Sequence, residues 1–149
     1  GLSEEQINAI RLAGMIHDIG KISVPVELLS KHGRMTSTEL DLIKAHPEVG
    51  YAILKMIDFP WPVAQIVHQH HERIDGSGYP LSLPGDDILL EARILAVADV
   101  VESMAGPRPY RPALGVDQAV EEISEKRGVL YDPSVVDACL KIIREIEFD

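Results

Sequence analysis

The sequence contains a single cysteine, Cys139, so no disulfide can form within its 149 residues. Low cysteine use is typical of reducing compartments, and we expect a cytoplasmic protein. No apolar run approaches the ~20 residues that span a bilayer, and no signal peptide is visible. We therefore expect no membrane contact by this domain.

Basic residues are also scarce. Fourteen Lys and Arg residues stand against 24 Asp and Glu residues, which gives a formal net charge of −10. A protein that binds a nucleic-acid polymer through general electrostatics would be basic, so that class is excluded as a partner. Apolar residues make up 46% of the chain. This composition and length fit one domain with a single core.

Strand signals are missing too, because no segment of convincing length alternates apolar and polar residues. The fold class predicted is all-α. Two capping boxes, at residues 3–6 and 36–39, predict helices that run towards His17 and towards His46. Pro47 should open a helix that includes Ile57. Further helices are predicted at residues 63–71, 90–104, 116–128 and 132–146, with Gly128 and Asp132 as end and start signals.

Six potential metal ligands fall on or next to these helical patterns, and none is a cysteine. Imidazole suits iron, zinc or copper, and carboxylate suits manganese or magnesium. Two ions about 3.5–4 Å apart are a recurring device for phosphate ester hydrolysis. The set therefore predicts a dinuclear phosphohydrolase site made of His17, Asp18, His46, His70, His71 and Asp99.

Each ligand has a plainer alternative when it is taken alone. Asp99 could pair with a core arginine, His17 could be a hydrogen-bonded core histidine, and Asp18 could be solvated. Together the six favour a metal site. His32 in a turn and His68, which points away from the apolar stripe, are predicted not to be ligands.

Three cations are candidates for contact with phosphate. Lys21 follows Asp18 by three residues, so at helical spacing it lies beside the ligand pair. Arg108 and Arg111 flank a Pro-Tyr pair, and guanidinium groups match phosphate oxygens in a bidentate way. The alternatives are a surface lysine and two arginines that fix a loop through salt bridges.

Two motifs carry a family resemblance. Residues 17–21 (HDIGK) resemble the HDxGK signature of the HD phosphohydrolase superfamily, and residues 70–80 (HHERIDGSGYP) resemble the HHExxDGxGYP signature of its HD-GYP subfamily. Residues 96–99 and 108–111 also match, in the expected order. The likeness covers nearly the whole chain.

The resemblance implies a single-domain HD-type helical bundle, here of six to seven helices, with two or three divalent metals, usually iron or manganese. It also implies hydrolysis of cyclic di-GMP to linear pGpG and then GMP in bacterial signalling. Tyr79, Arg108 and Arg111 would contact the nucleotide, and Lys21 would assist at the phosphate. We expect Asp18 to bridge two ions, one served by His17 and Asp99, the other by His46, His70 and His71.

One part of the family pattern is missing. Family members draw a further histidine ligand, sometimes with a glutamate, from a preceding helix, yet none of the 16 residues before His17 is a histidine. We expect residues 1–149 to be an HD-GYP domain that lacks its N-terminal helix or helices, with a receiver or other sensor domain upstream. Two rival functions remain open: hydrolysis of cGAMP or another cyclic nucleotide, and a weakly active or inactive signalling module that docks GGDEF-domain partners.

Overall fold

The protein is described here by a computed structural model covering residues 1–107 and 114–147. Within these ranges, seven helices have seven or more residues, and one further helix is a single turn of four residues. No strand occurs within the described ranges, which contain isolated β-bridges only. The helices are α1 (Glu4–Ile16), α2 (Val26–Leu29), α3 (Ser37–Lys44), α4 (His46–Leu54), α5 (Val63–Gln69), α6 (Leu90–Ala105), α7 (Val116–Glu125) and α8 (Pro133–Glu147). The all-α prediction is confirmed.

Three helix starts follow the sequence signals. Ser3 caps α1 and Thr36 caps α3, and each capping side chain accepts a bond from the backbone N–H three residues later. In return, the side-chain oxygens of Gln6 and Glu39 accept from the backbone N–H groups of Ser3 and Thr36. Asp132 accepts hydrogen bonds from the backbone N–H groups of Ser134 and Val135, at 2.8 and 3.2 Å, at the start of α8. These caps satisfy donors that have no partner within the helix.

Helix α5 lies at the centre of the first half of the fold. It packs against α1, α4 and α6, and its side chains Val63, Ile66 and Val67 are fully buried. A second apolar cluster joins α6 to α7 and α8 around Val97, with Ile123 and Val136. Because α6 belongs to both clusters, it connects the two halves of the core.

Three predicted boundaries differ from the structure. The helix opened by Pro47 ends at Leu54, so Ile57 lies beyond it and is half exposed. Helix α7 ends at Glu125 rather than at Gly128, because a turn intervenes in which the Gly128 N–H donates to the Tyr131 carbonyl at 2.8 Å. Gly128 has a φ of +76°, as expected for a glycine that reverses the chain. Lys21 lies in a short 3-10 helix (Ile19–Ser23), not in a continuation of α1.

Within the described ranges, no helix is both long enough and apolar enough to cross a membrane.

Candidate metal centre

The six predicted ligands come from the ends of three helices and the middle of a fourth. His17 and Asp18 directly follow α1, His46 is the first residue of α4, and His70 and His71 directly follow α5. Asp99 lies within α6. The core that packs α5 against α1, α4 and α6 therefore brings distant parts of the sequence to one place.

Asp18 lies between two histidines. Its Oδ1 atom is 3.4 Å from His46 Nε2, and its Oδ2 atom is 3.6 Å from His17 Nε2. His17 Nε2 is also 3.4 Å from Asp99 Oδ1. Each oxygen of the Asp18 carboxylate thus faces a different imidazole, as a carboxylate shared by two ions would.

The imidazole rings form one cluster around His70. The His70 ring centroid is 5.2 Å from that of His17, 5.5 Å from that of His46 and 4.1 Å from that of His71. Two sets of three have ligand atoms within 4.8 Å of one another: His46, His70 and His71, and His17, Asp18 and His70. The first set is the one expected to serve a single ion, and the second overlaps with it at His70.

Three of the histidines are oriented in the same way. The Nδ1–H groups of His17, His46 and His70 donate to the carbonyl three residues earlier, at 2.7, 2.7 and 2.6 Å. Since a carbonyl can only accept, this contact fixes the tautomer and leaves Nε2 free to bind a metal. The Nε2 atoms of His46 and His70 are buried and have no hydrogen-bond partner within the described ranges. Buried polar atoms without a partner are uncommon, so these two atoms mark the cluster as a candidate metal site.

Electrostatics favour neutral imidazoles at the buried positions. Burial lowers the pKa of His46 and lowers that of His70 to about 4. Burial, together with the neighbouring His70, also lowers the pKa of His71. His17 is the exception, because its hydrogen bond with Asp99 raises its pKa. Burial alone would raise the pKa of Asp99, but the His17 bond and the surrounding histidines outweigh burial and hold it below its usual value.

This donor set fits divalent metal ions. Neutral imidazole and ionised carboxylate are the protonation states that bind metals, and the pKa directions favour neutral imidazoles at His46, His70 and His71 and an ionised carboxylate at Asp99. Mixed nitrogen and oxygen donors without thiolates suit borderline and hard ions. The described residues therefore contain a His/Asp cluster that could hold divalent metals.

Lys21 lies at the exposed edge of this cluster. Its Nζ atom is 2.7 Å from Asp18 Oδ2, the oxygen that faces His17. Gly20 brings the 3-10 helix onto α4, because a Cβ atom there would lie 1.8 Å from the His46 carbonyl oxygen. The glycine and lysine of the HDIGK motif thus place a cation next to the predicted ligands.

Tyr79 covers His71. The two rings stack with centroids 4.9 Å apart and an angle of 16°, and the Tyr79 N–H donates to the His71 carbonyl at 3.3 Å. Burial raises the pKa of Tyr79 to about 12. The tyrosine therefore lies beside the predicted ligands. Arg108 and Arg111 fall outside the described residues.

Sequence reasoning missed Glu72. This carboxylate is only 2% exposed, and it accepts hydrogen bonds from the backbone N–H groups of Leu81 and Leu83 at 2.6 and 2.9 Å. It thus ties the far end of the loop that carries Tyr79 to the residue that follows His71. The available signal was its place directly after two histidines that are predicted ligands. An acidic residue before a Gly-rich loop is usually solvated, so the sequence pattern alone favoured that interpretation.

The two histidines predicted not to be ligands lie outside the cluster. His32 is exposed. His68 is buried rather than turned to solvent, because α4 covers that side of α5, and its Nε2–H donates to Glu48 at 2.6 Å. Its ring stacks on Tyr51, with centroids 4.3 Å apart.

Fold and cluster together define a helical domain with a candidate divalent-metal centre, and comparison with known proteins gives its family. The chain belongs to the HD domain family, whose pattern matches residues 1–135. The resemblance seen in the motifs is thereby confirmed.

Two relatives and one solved structure illustrate the kinship. The chain is 44% identical over 149 residues to the cyclic di-GMP phosphodiesterase response regulator RpfG of Xanthomonas campestris pv. campestris, matching 99% of this chain and 39% of the relative. It is 40% identical over 148 residues to a cyclic di-GMP phosphodiesterase of Thermotoga maritima, matching 98% of this chain and 40% of the relative. The chain thus spans about two fifths of these relatives.

The solved structure is that of the cyclic GMP-AMP specific phosphodiesterase V-cGAP3 of Vibrio cholerae. It superposes with a TM-score of 0.70 at 19% identity, over 99% of this chain and 40% of that one. At this identity the likeness shows the fold alone, and the HD-type helical bundle is confirmed.

Proposed function

We propose that this chain is a metal-dependent phosphodiesterase domain that hydrolyses cyclic di-GMP to linear pGpG and then to GMP. The observation that carries the proposal is the position of Asp18, whose two oxygens face His17 and His46 on either side. One carboxylate between two imidazole sets suits a pair of ions, and paired ions suit phosphodiester cleavage. The names of the two relatives favour cyclic di-GMP as the substrate.

In this proposal His46, His70 and His71 hold one divalent ion, His17 and Asp99 hold the other, and Asp18 serves both. We propose iron or manganese for these positions, as the family resemblance implies, since both suit ligands of this mixed imidazole and carboxylate kind. When bound, the ions supply Lewis acidity that activates a water and offsets charge on the phosphate.

The protein's own groups orient the imidazole rings and stabilise charge on the phosphate. The carbonyls of Gly14, Ile43 and Val67 hold three imidazoles with Nε2 towards the centre. Lys21 adds a cation at the edge of the centre, where negative charge develops on the phosphate oxygens. Tyr79 shields the His71 ring and forms one wall of the substrate site.

Arg108 and Arg111 are proposed to hold phosphates both before and during the reaction. Lost uniform binding raises the Michaelis constant and leaves kcat unchanged. Replacing either arginine with alanine should therefore raise KM more than it lowers kcat. Steady-state kinetics of the two variants would check this, and a fall in kcat with unchanged KM would contradict it.

The decisive assay follows cyclic di-GMP and cGAMP separately, under anaerobic conditions, with the intact protein loaded with Fe(II) or Mn(II). We expect cyclic di-GMP to be consumed with pGpG as the first product. His70→Ala should abolish this turnover, whereas His32→Ala should match the wild type because His32 is exposed and outside the cluster. Faster turnover of cGAMP than of cyclic di-GMP would show that cGAMP is the preferred substrate and that the proposed substrate is wrong.

The same assay tests the rival role as a docking module. No turnover of either dinucleotide with either metal, together with binding of a GGDEF-domain protein, would favour that role over the enzyme. The GGDEF partner, the upstream receiver or sensor domain and the cytoplasmic location remain predictions.

A further inference from the structure

Two of the six lysines in the chain differ from the other four in having no carboxylate partner within the described ranges. Four have a carboxylate oxygen within 4.0 Å: Lys21 with Asp18, Lys31 with Glu39, Lys126 with Glu122, and Lys141 with Glu145. Lys44 and Lys55 have no such partner within the described ranges. In a chain with a net charge of −10, a lysine without a carboxylate is conspicuous, because acids outnumber bases.

Lys44 lies beside the candidate metal centre. It is the last residue of α3, two residues before His46. Its Nζ atom lies over the Tyr79 ring, 5.4 Å from the centroid, and the same ring stacks on His71. A cation held over an aromatic face is attracted by the ring and loses mobility. The ammonium is therefore placed at the rim of the site, one ring away from a predicted ligand.

Lys55 repeats this arrangement away from the centre. Its Nζ atom lies over the Tyr51 ring, 5.4 Å from the centroid, and Tyr51 stacks on His68. His68 is bonded to Glu48 and does not belong to the ligand cluster. The chain thus offers two lysines in the same local environment, of which only Lys44 adjoins the candidate site.

We propose that Lys44 binds the phosphate of a cyclic dinucleotide that is not being cleaved. This inference rests on the proposed function, since it needs a substrate with two phosphates. Lys21 contacts Asp18 and so adjoins the phosphate at the metals. Lys44 and His71 both contact the Tyr79 ring, so the Lys44 ammonium lies at the rim of the centre, on the side towards which we propose that the second phosphate of a ring-shaped substrate extends.

The position of Lys44 sets the expected kinetic effect. A contact with the phosphate that does not react is made equally in the ground state and in the transition state, so its loss raises KM and leaves kcat unchanged. For one partly exposed charge-assisted contact, we expect a rise of about tenfold in KM. Added salt should reduce the difference in KM between the wild type and the variant, because salt screens the attraction between exposed charges.

The experiment compares Lys44→Ala, Lys44→Arg and Lys55→Ala in the intact, manganese-loaded protein. Each is assayed with cyclic di-GMP and with bis(4-nitrophenyl) phosphate, a small diester that has only one phosphate. We expect Lys44→Ala to raise KM for cyclic di-GMP about tenfold and to leave the small ester unaffected. Lys44→Arg should retain most of the affinity, and Lys55→Ala should behave as the wild type.

Each contrary outcome has a distinct meaning. If Lys44→Ala matches Lys55→Ala on cyclic di-GMP, this inference is wrong and the proposed function stands. If Lys44→Ala loses kcat equally on both esters, Lys44 supports the site's structure and the inference is again wrong. If the wild type cleaves the small ester but neither cyclic di-GMP nor cGAMP, the proposed function itself fails, and the inference fails with it.

Discussion

Glu72→Gln should loosen the loop beside the candidate centre without removing a ligand. Both carboxylate oxygens of Glu72 are used, one for each backbone N–H group of Leu81 and Leu83. Glutamine keeps one accepting oxygen, but its NH₂ group then faces the other N–H, and two donors cannot bond. We therefore expect the variant to lose one charge-assisted bond and to strand one partly buried donor.

The size of the effect follows from these contacts. Stranding a buried donor costs roughly 1–3 kcal/mol, and the partial exposure of the loop favours the middle of that range, about 2 kcal/mol. For a chain of about 150 residues, roughly 2–4 °C of Tm corresponds to each kcal/mol, so Tm should fall by about 4–8 °C. Glu121→Gln, an exposed carboxylate on α7, is the matched control and should leave Tm unchanged.

Thermal unfolding and metal content are measured on the same samples. We expect Glu72→Gln to retain the metal stoichiometry of the wild type, because its carboxylate is occupied by backbone amides. At a temperature where both proteins are folded, kcat/KM for cyclic di-GMP should fall, since the loop that carries Tyr79 is less constrained. A Tm equal to that of the control would refute the loop anchor, and loss of bound metal would show that Glu72 is a ligand.

Three further predictions concern the centre itself. Asp18→Ala should remove more bound metal than His70→Ala, because one carboxylate is proposed to serve both ions; elemental analysis of the purified proteins decides this, and unchanged stoichiometry would rule out the bridging role. Lys21→Ala should lower kcat with little change in KM, since its charge is proposed to act on the transition state; steady-state kinetics giving the reverse split would contradict it. Gly20→Ala should lower Tm and metal content together, because its Cβ would lie 1.8 Å from the His46 carbonyl oxygen. Gly14→Ala is the control and should not destabilise, since its Cβ would meet Leu95 at an ordinary 3.8 Å.

Local signals in the sequence predicted most of the helix starts. The capping boxes at Ser3 and Thr36 and the Asp132-Pro133 pair depend only on residues within one turn, so no tertiary knowledge was needed. Helix ends were less predictable. Helix α7 stops at Glu125 because the turn to Tyr131 competes with another helical turn, and that competition depends on the packing of α8.

The sequence also predicted the ligand types, because metal chemistry restricts them to a few side chains. The relative positions of the six side chains depend on how α1, α4, α5 and α6 pack, and only the structure shows them. It shows Asp18 between His17 and His46, and it shows Nδ1 of three histidines bonded to backbone carbonyls. Spacing along the chain carries no information on which oxygen faces which ring.

Sequence alone thus determined the all-α class, the set of candidate ligands and the family, since these depend on residue types and on short-range patterns. The tertiary structure decided what each polar residue contacts. His68 and His70 are two residues apart on the same helical segment, yet one bonds to Glu48 and the other faces the cluster. The sequence pattern favours a solvated Glu72, yet its side chain is buried and bonded to the backbone of its own loop. Burial and partner choice arise from contacts between segments far apart in sequence, so they could be settled only in three dimensions.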